Sequence, residues 1–161
     1  MLKQPKPPGF KDHSYTFDVI VTASEDTVWS WLNNTRTFTD TQVWPYRVEF
    51  YSPDAAVIPN GFHEGVLTNH TGPFINFAGE LTSVQPHYRD LQYLYGSYAI
   101  TFRWFRPNRL EFFTKADGDQ VTITCTLSTY VKPSMEWMWN TGMKYFWRSF
   151  KKWSKKSIEN I

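Results

Sequence analysis

Residues 134–158 carry no proline and place four tryptophans, three methionines and six lysine or arginine residues in one run. On a helical wheel Met135, Trp139, Gly142, Met143, Phe146, Phe150 and Trp153 fall within about 100° of arc. Lys144, Arg148, Lys151, Lys152 and Lys155 cluster on the other side. The spacing predicts an amphipathic helix of about 37 Å at roughly 1.5 Å per residue, with Pro133 and Ser134 as N′ and N-cap. Such a stripe demands an apolar partner surface.

The rest of the chain supplies one. Tyr15, Phe17, Val19 and Val21 alternate with Ser14, Thr16, Asp18 and Thr22, the period of a half-buried strand, with Ile20 on the polar side. Ser24 reads as an N-cap with Glu25 and Asp26 in the first turn, followed by Val28, Trp31 and Leu32 at helical spacing. A second helical turn is expected over 35–42, and Pro45 marks the return to extended chain. From Tyr46 onward Pro53, Asn60-Gly61, Gly72-Pro73, Pro86, Gly96, Pro107-Asn108 and Asp117-Gly118 punctuate a meander of antiparallel strands. Its last member is the clearest: Val121, Ile123, Cys125, Leu127, Thr129 and Val131 alternate with Thr122, Thr124, Thr126, Ser128 and Tyr130. Leu110 with Phe112, and Tyr98 with Ile100, Phe102 and Trp104, are expected on the same dry face across the Asp117-Gly118 and Pro107-Asn108 turns. The strand count is seven or eight, depending on a break at Gly96-Ser97.

Composition excludes several functions. With 41% hydrophobic and 20% charged residues in 161, the chain suits one folded domain, here residues 14–161 behind an extended tail over 1–13. No apolar run reaches the roughly 20 residues of a membrane span. The tail lacks the apolar core of a signal peptide, and the lone Cys125 fits a reducing compartment, so a cytoplasmic location is expected. A net charge of +2 is too small to argue for nucleic acid and no basic groove stands out beyond the C-terminal helix, so no nucleic-acid partner is expected. No cofactor is expected, since nucleotide, redox and hydrolase motifs are missing from the sequence. His13, His63, His70 and His87 lack metal-ligand spacing, although His63 would meet His70 or Glu64 across a suitable hairpin.

The segment Phe17-Asp18-Val19-Ile20-Val21-Thr22-Ala23-Ser24, followed by Val28-Trp29-Ser30-Trp31-Leu32, resembles the opening of the START-like, or Bet v 1-like, superfamily, whose bacterial members are called SRPBCC or polyketide cyclase/dehydrase-like proteins. In that pattern a strand runs into Ala/Ser-Pro-x-x-x-Val-Trp; Glu25 here replaces the proline. The order of strand, two short helices, meander and long helix is similar over about 14–158. The resemblance implies an α+β helix-grip fold, a curved antiparallel sheet of about seven strands wrapped around the C-terminal helix. It also implies a hydrophobic cavity between the two for a lipid, sterol, polyketide or similar ligand, either open or plugged by aromatic side chains.

Candidate site residues follow from parity. Phe62 and Val66 share a face with Glu64, Thr68 and His70, which aims a carboxylate and an imidazole inward. Tyr93 and Tyr95 share a face with Leu91, and Arg106 continues the Trp104 face. In a cyclase or dehydratase Glu64 or His70 would transfer the proton and a tyrosine would stabilise an oxyanion. Trp104, Phe112, Trp139, Met143 and Phe146 are the expected apolar lining. Three functions compete: binding of a hydrophobic small molecule, an enzyme on the same scaffold, and an interaction module using the basic helix face at an anionic membrane or a partner, without stable insertion.

Overall fold

The computed structural model describes residues 3–40, 46–54, 56, 58, 61–72, 75–98 and 104–161, and for 75 and 95–98 the backbone only. Strand β1 (Lys11–Thr22) leads into α1 (Glu25–Leu32) and α2 (Thr35–Asp40). Six strands follow: β2 (Arg47–Tyr51), β3 (Leu67–Gly72), β4 (Ile75–Gln85), β5 (Tyr88–Tyr98), β6 (Phe105–Asp117) and β7 (Gln120–Val131). Helix α3 (Glu136–Ile158) closes the chain. All strands join one antiparallel sheet in the order β1-β7-β6-β5-β4-β3-β2.

Strand β1 begins at Lys11, three residues before the alternation predicts, because Lys11, Asp12 and His13 pair with Val131, Tyr130 and Thr129. Its Val19 and Val21 are buried while Ile20 on the opposite side is 47% exposed. Ser24 caps α1 by accepting the Thr27 amide at 3.1 Å. The Asp117-Gly118 turn forms as predicted, with Gly118 at φ +63°, and Pro86-His87 turns β4 into β5.

Two punctuation marks do not end strands. Gly96 and Ser97 pair with Phe77 and Asn76 inside β5, which makes the count seven. Pro107-Asn108 lies inside β6 as a bulge, the register against β7 slipping between Pro107 and Arg109. Proline has no amide to give the ladder, and a bulge is one of the few places where a strand interior tolerates it. Of the strand predicted from Tyr98 to Trp104, Tyr98 is the last residue of β5 and Trp104 stands in a turn ahead of β6; Ile100 and Phe102 lie outside the described residues, as do Pro45, Asn60 and Pro73. Further register shifts at Ala78/Gly79 and Leu81/Ser83 bend β4 against β5.

The concave face receives α3. Its start differs from prediction: a 3-10 turn over Pro133–Met135 precedes the helix, and Met135 rather than Ser134 is the N-cap, without a side-chain bond. Trp139, Trp147, Phe150, Ser154 and Ile158 are buried, and Met143, Phe146 and Trp153 half-buried. The buried line runs through Trp147 and Ile158, which the predicted arc leaves out, so the helix is rolled toward β1, where Trp147 stacks on Phe17 with ring centroids 4.4 Å apart. Both ends are tied. Lys11 Nζ donates to Glu136 Oε2 at 2.6 Å at the first turn, and the Trp31 indole donates to Ser157 Oγ at 2.8 Å at the last.

The sheet's curvature carries a sharp test. A Cβ at Gly79 would stand 2.8 Å from the Gln92 carbonyl oxygen and 2.8 Å from Leu91 Cδ1. Gly79→Ala is expected to lower the unfolding free energy by about 1–3 kcal/mol in urea denaturation; an unchanged midpoint would show that the bend does not depend on this close approach.

Candidate functional site

A straight helix rolled to one flank of a curved sheet leaves space on the other flank. Here that space is a cavity of about 440 Å³. Val48 and Phe50 of β2, Leu81 of β4, Leu91 of β5, Phe105, Leu110 and Phe112 of β6 and Leu127 of β7 form its floor. Trp139, Met143, Phe146, Trp147, Phe150 and Trp153 of α3 form its roof, and Phe38 of α2 with Phe62 closes one end. Arg47 and Gly142, also in the wall, are exposed and mark the opening. The volume lies within the usual range of small-molecule sites, about 300–1,000 Å³.

Of the residues singled out from the sequence, His70, Tyr93, Phe112, Trp139, Met143 and Phe146 stand together in this wall. Glu64 does not: it is exposed in a turn in which the Val66 amide bonds the His63 carbonyl and Gly65 adopts φ +87°. That turn breaks the alternation, so Phe62 and Val66 point in while the carboxylate between them points out. Trp104 packs half-buried against the core, outside the cavity wall. Tyr95 pairs with Ala78 in β5, its side chain outside the described set. Arg106 alternates with wall residues Phe105 and Pro107 and is absent from the lining. His63 is exposed, so it does not join His70, and no cluster of metal-ligating side chains occurs among the described residues.

The side chain that sequence reasoning missed is Arg89. It precedes Leu91 by two residues, so the parity that turns Leu91 and Tyr93 inward turns Arg89 inward too. It is 5% exposed and lies in the cavity wall. Its guanidinium carbon sits 4.5 Å from the ring centre of Phe62, 4.8 Å from Phe112 and 5.0 Å from Phe38. One N–H donates to the carbonyl of Leu32, the last residue of α1, where helix carbonyls lack internal partners. No ion pair to Arg89 forms among the described residues, and every residue outside that set is something other than aspartate or glutamate. Burial pulls Arg89 down to about 10, which still leaves it charged at neutral pH.

Other polar groups share the wall. Thr68 Oγ1, His70 Nε2 and the indole nitrogens of Trp139 and Trp147 are buried without a hydrogen-bond partner among the described residues. His70 stacks on Phe77 with centroids 4.7 Å apart and meets Tyr93 edge-on at 5.4 Å. Burial, with the nearby Arg89 charge, depresses its pKa from 6.5 to about 3, and burial pushes the Tyr93 hydroxyl up. At neutral pH the described part of the wall therefore presents a neutral imidazole, a protonated phenol and one buried cation. Cys125 stays in the core behind the wall, its thiol pushed up by burial.

No family model matches the sequence, and a search of curated proteins finds no match. Solved structures do match in shape. Norcoclaurine synthase from Thalictrum flavum, in complex with dopamine and hydroxybenzaldehyde, aligns over 93% of this chain and 88% of its own at 13% identity and TM-score 0.63. The Zhui aromatase/cyclase from Streptomyces sp. R1128 aligns over 92% and 94% at 12% identity and TM-score 0.65, and Ara h 8.0201 over 94% and 100% at 8% and 0.62. The chain has the Bet v 1-like, helix-grip fold. At these identities the likeness establishes architecture and leaves function to the site itself.

Because His70 binds a proton near 6.5 when unfolded but only near 3 when folded, the unfolded state holds the extra proton between those values. Stability then rises with pH across that window. On acidification from 6.5 toward 3, His70 is expected to remove up to about 1.4 kcal/mol per pH unit. Urea unfolding at a series of pH values should show a flatter profile in His70→Gln; parallel profiles would mean that the imidazole is solvated.

Proposed function

We propose that the protein binds a hydrophobic small molecule, of the lipid, polyketide or aromatic class, in the cavity between the sheet and α3. The observation that carries this is the 440 Å³ space itself, walled almost throughout by aromatic and aliphatic side chains. Removing apolar ligand surface from water supplies the affinity without a dedicated polar lock, at roughly 25 cal/mol per Å² before the costs of ordering. The aromatic stripe is enclosed by its own sheet, so it is not free to enter a membrane. Among the described residues no helix is long and apolar enough to cross one. A cytoplasmic site of action fits the single, unpaired Cys125.

Acid–base turnover is the weaker reading. Among the described residues no carboxylate lines the cavity, Glu64 faces solvent, and an imidazole held near 3 is a poor proton acceptor at neutral pH.

Native mass spectrometry of the purified protein, together with titration of 1-anilinonaphthalene-8-sulfonate, tests the proposal. One saturable site is expected. Gly142→Phe places a ring at the opening, where a Cβ meets nothing within 4 Å, and should weaken probe binding about tenfold or more while the circular dichroism spectrum stays unchanged. Equal binding by the variant, or no saturable site in the wild type, would refute the assignment.

A further inference from the structure

We infer that the ligand is an apolar monocarboxylic acid, whose carboxylate pairs with Arg89 at the closed end of the cavity while its apolar body extends toward the opening at Gly142. The inference rests on the binding role proposed above and specifies the chemistry at one end of the ligand.

A buried charge without a partner is costly, and proteins ordinarily satisfy it with an opposite charge and hydrogen bonds. Arg89 has five N–H donors, and the carbonyl of Leu32 is the one hydrogen-bond acceptor it meets among the described residues. Three phenylalanine faces offer the cation quadrupole attraction. They neither accept a linear hydrogen bond nor balance a whole charge. The protein thus holds a positive centre in a pocket wall and leaves its counter-charge to come from elsewhere.

The surroundings narrow the class. Among the described residues the wall holds one buried cation, which matches a ligand with one negative charge; a phosphate monoester brings about −1.5 to −2 and would leave excess charge buried. His70 adds no second positive charge near neutral pH, because it stays unprotonated. Arg47 is exposed at the opening and can be neutralised by solvent ions. A planar carboxylate also fits the fork of a guanidinium in two parallel bonds. Thr68, 2% exposed and in the same wall, has an Oγ1 without a partner among the described residues, which adds a neutral polar contact for a ligand in the cavity. The polarity of the bound molecule follows from burial: Phe62, Phe112 and Arg89 are buried, whereas Met143 is half-buried and Gly142 exposed.

The test compares dodecanoic acid with its methyl ester, and 1-naphthylacetic acid with its methyl ester, by displacement of the fluorescent probe at pH 7.5. Wild-type protein is expected to prefer at least one acid over its ester by about tenfold to a hundredfold, the range of a charge-assisted bond. In Arg89→Met that preference should vanish, with ester affinity retained. Equal affinities for acid and ester in the wild type, a comparison that needs no variant, overturn the charge pairing and leave the apolar binding role standing. Persistence of the full acid preference in Arg89→Met also overturns it. Failure of the probe and all four compounds to bind overturns the binding role beneath it.

Discussion

Everything in this molecule depends on how a straight helix meets a curved sheet. Helix α3 cannot follow the curvature, so it commits to one flank: Trp147 lies on Phe17, and Phe150 packs edge-on against the same ring at 6.0 Å. Aromatic pairs of this kind contribute about 0.5–1.5 kcal/mol each beyond their burial. The ends of the helix are held separately, by Glu136 to Lys11 at one and by Ser157 to Trp31 at the other. Helix α3 meets the sheet mainly along β1 and is held at both ends, and the cavity is the space left between it and the other strands. The fold therefore produces the pocket as a geometric consequence of its main packing contact, rather than by removing side chains from a filled core.

Arg89 links that pocket to the rest of the architecture. Its bond to the Leu32 carbonyl joins β5 to the end of α1, and its contacts with Phe38, Phe62 and Phe112 join α2, the segment before β3, and β6. The carbonyl end of a helix carries partial negative charge, so the guanidinium is favoured there. The same contacts that hold the cation in place also hold its remaining donors at the cavity wall. The group that organises this end of the cavity is also the one to which the proposal above assigns the ligand's charge. Contrast Arg109, on the other face of the sheet, which is paired with Asp90 at 2.8 Å and Glu111 at 3.1 Å: a guanidinium satisfied by carboxylates in the ordinary way.

Much of this was readable before folding. Alternation in β1 and β7, the Ser24 cap, the Asp117-Gly118 turn and the apolar side of α3 are local patterns, and local patterns survive because period and propensity act over a few residues. Six of the nine proposed site residues stand in the cavity wall: His70, Tyr93 and Phe112 by strand parity, and Trp139, Met143 and Phe146 by helical spacing. The errors have equally specific causes. Proline at 107 reads as a turn, but a bulge accommodates it; Glu64 shares parity with Phe62, but Gly65 takes a left-handed conformation and resets the count. Ser134 looks like a cap, but a 3-10 turn places the first helical residue further on.

By itself, the order of residues determined the layout of one strand, two short helices, a meander and a long helix, along with the buried face of β1 and β7. These follow from side-chain period and backbone preference within single elements. Only tertiary structure decided the roll of α3 toward β1, the open space on the opposite flank, and the isolation of Arg89 from every carboxylate. Those depend on distances between segments far apart in the chain, set by sheet curvature and by which rings reach one another, and no local pattern encodes them.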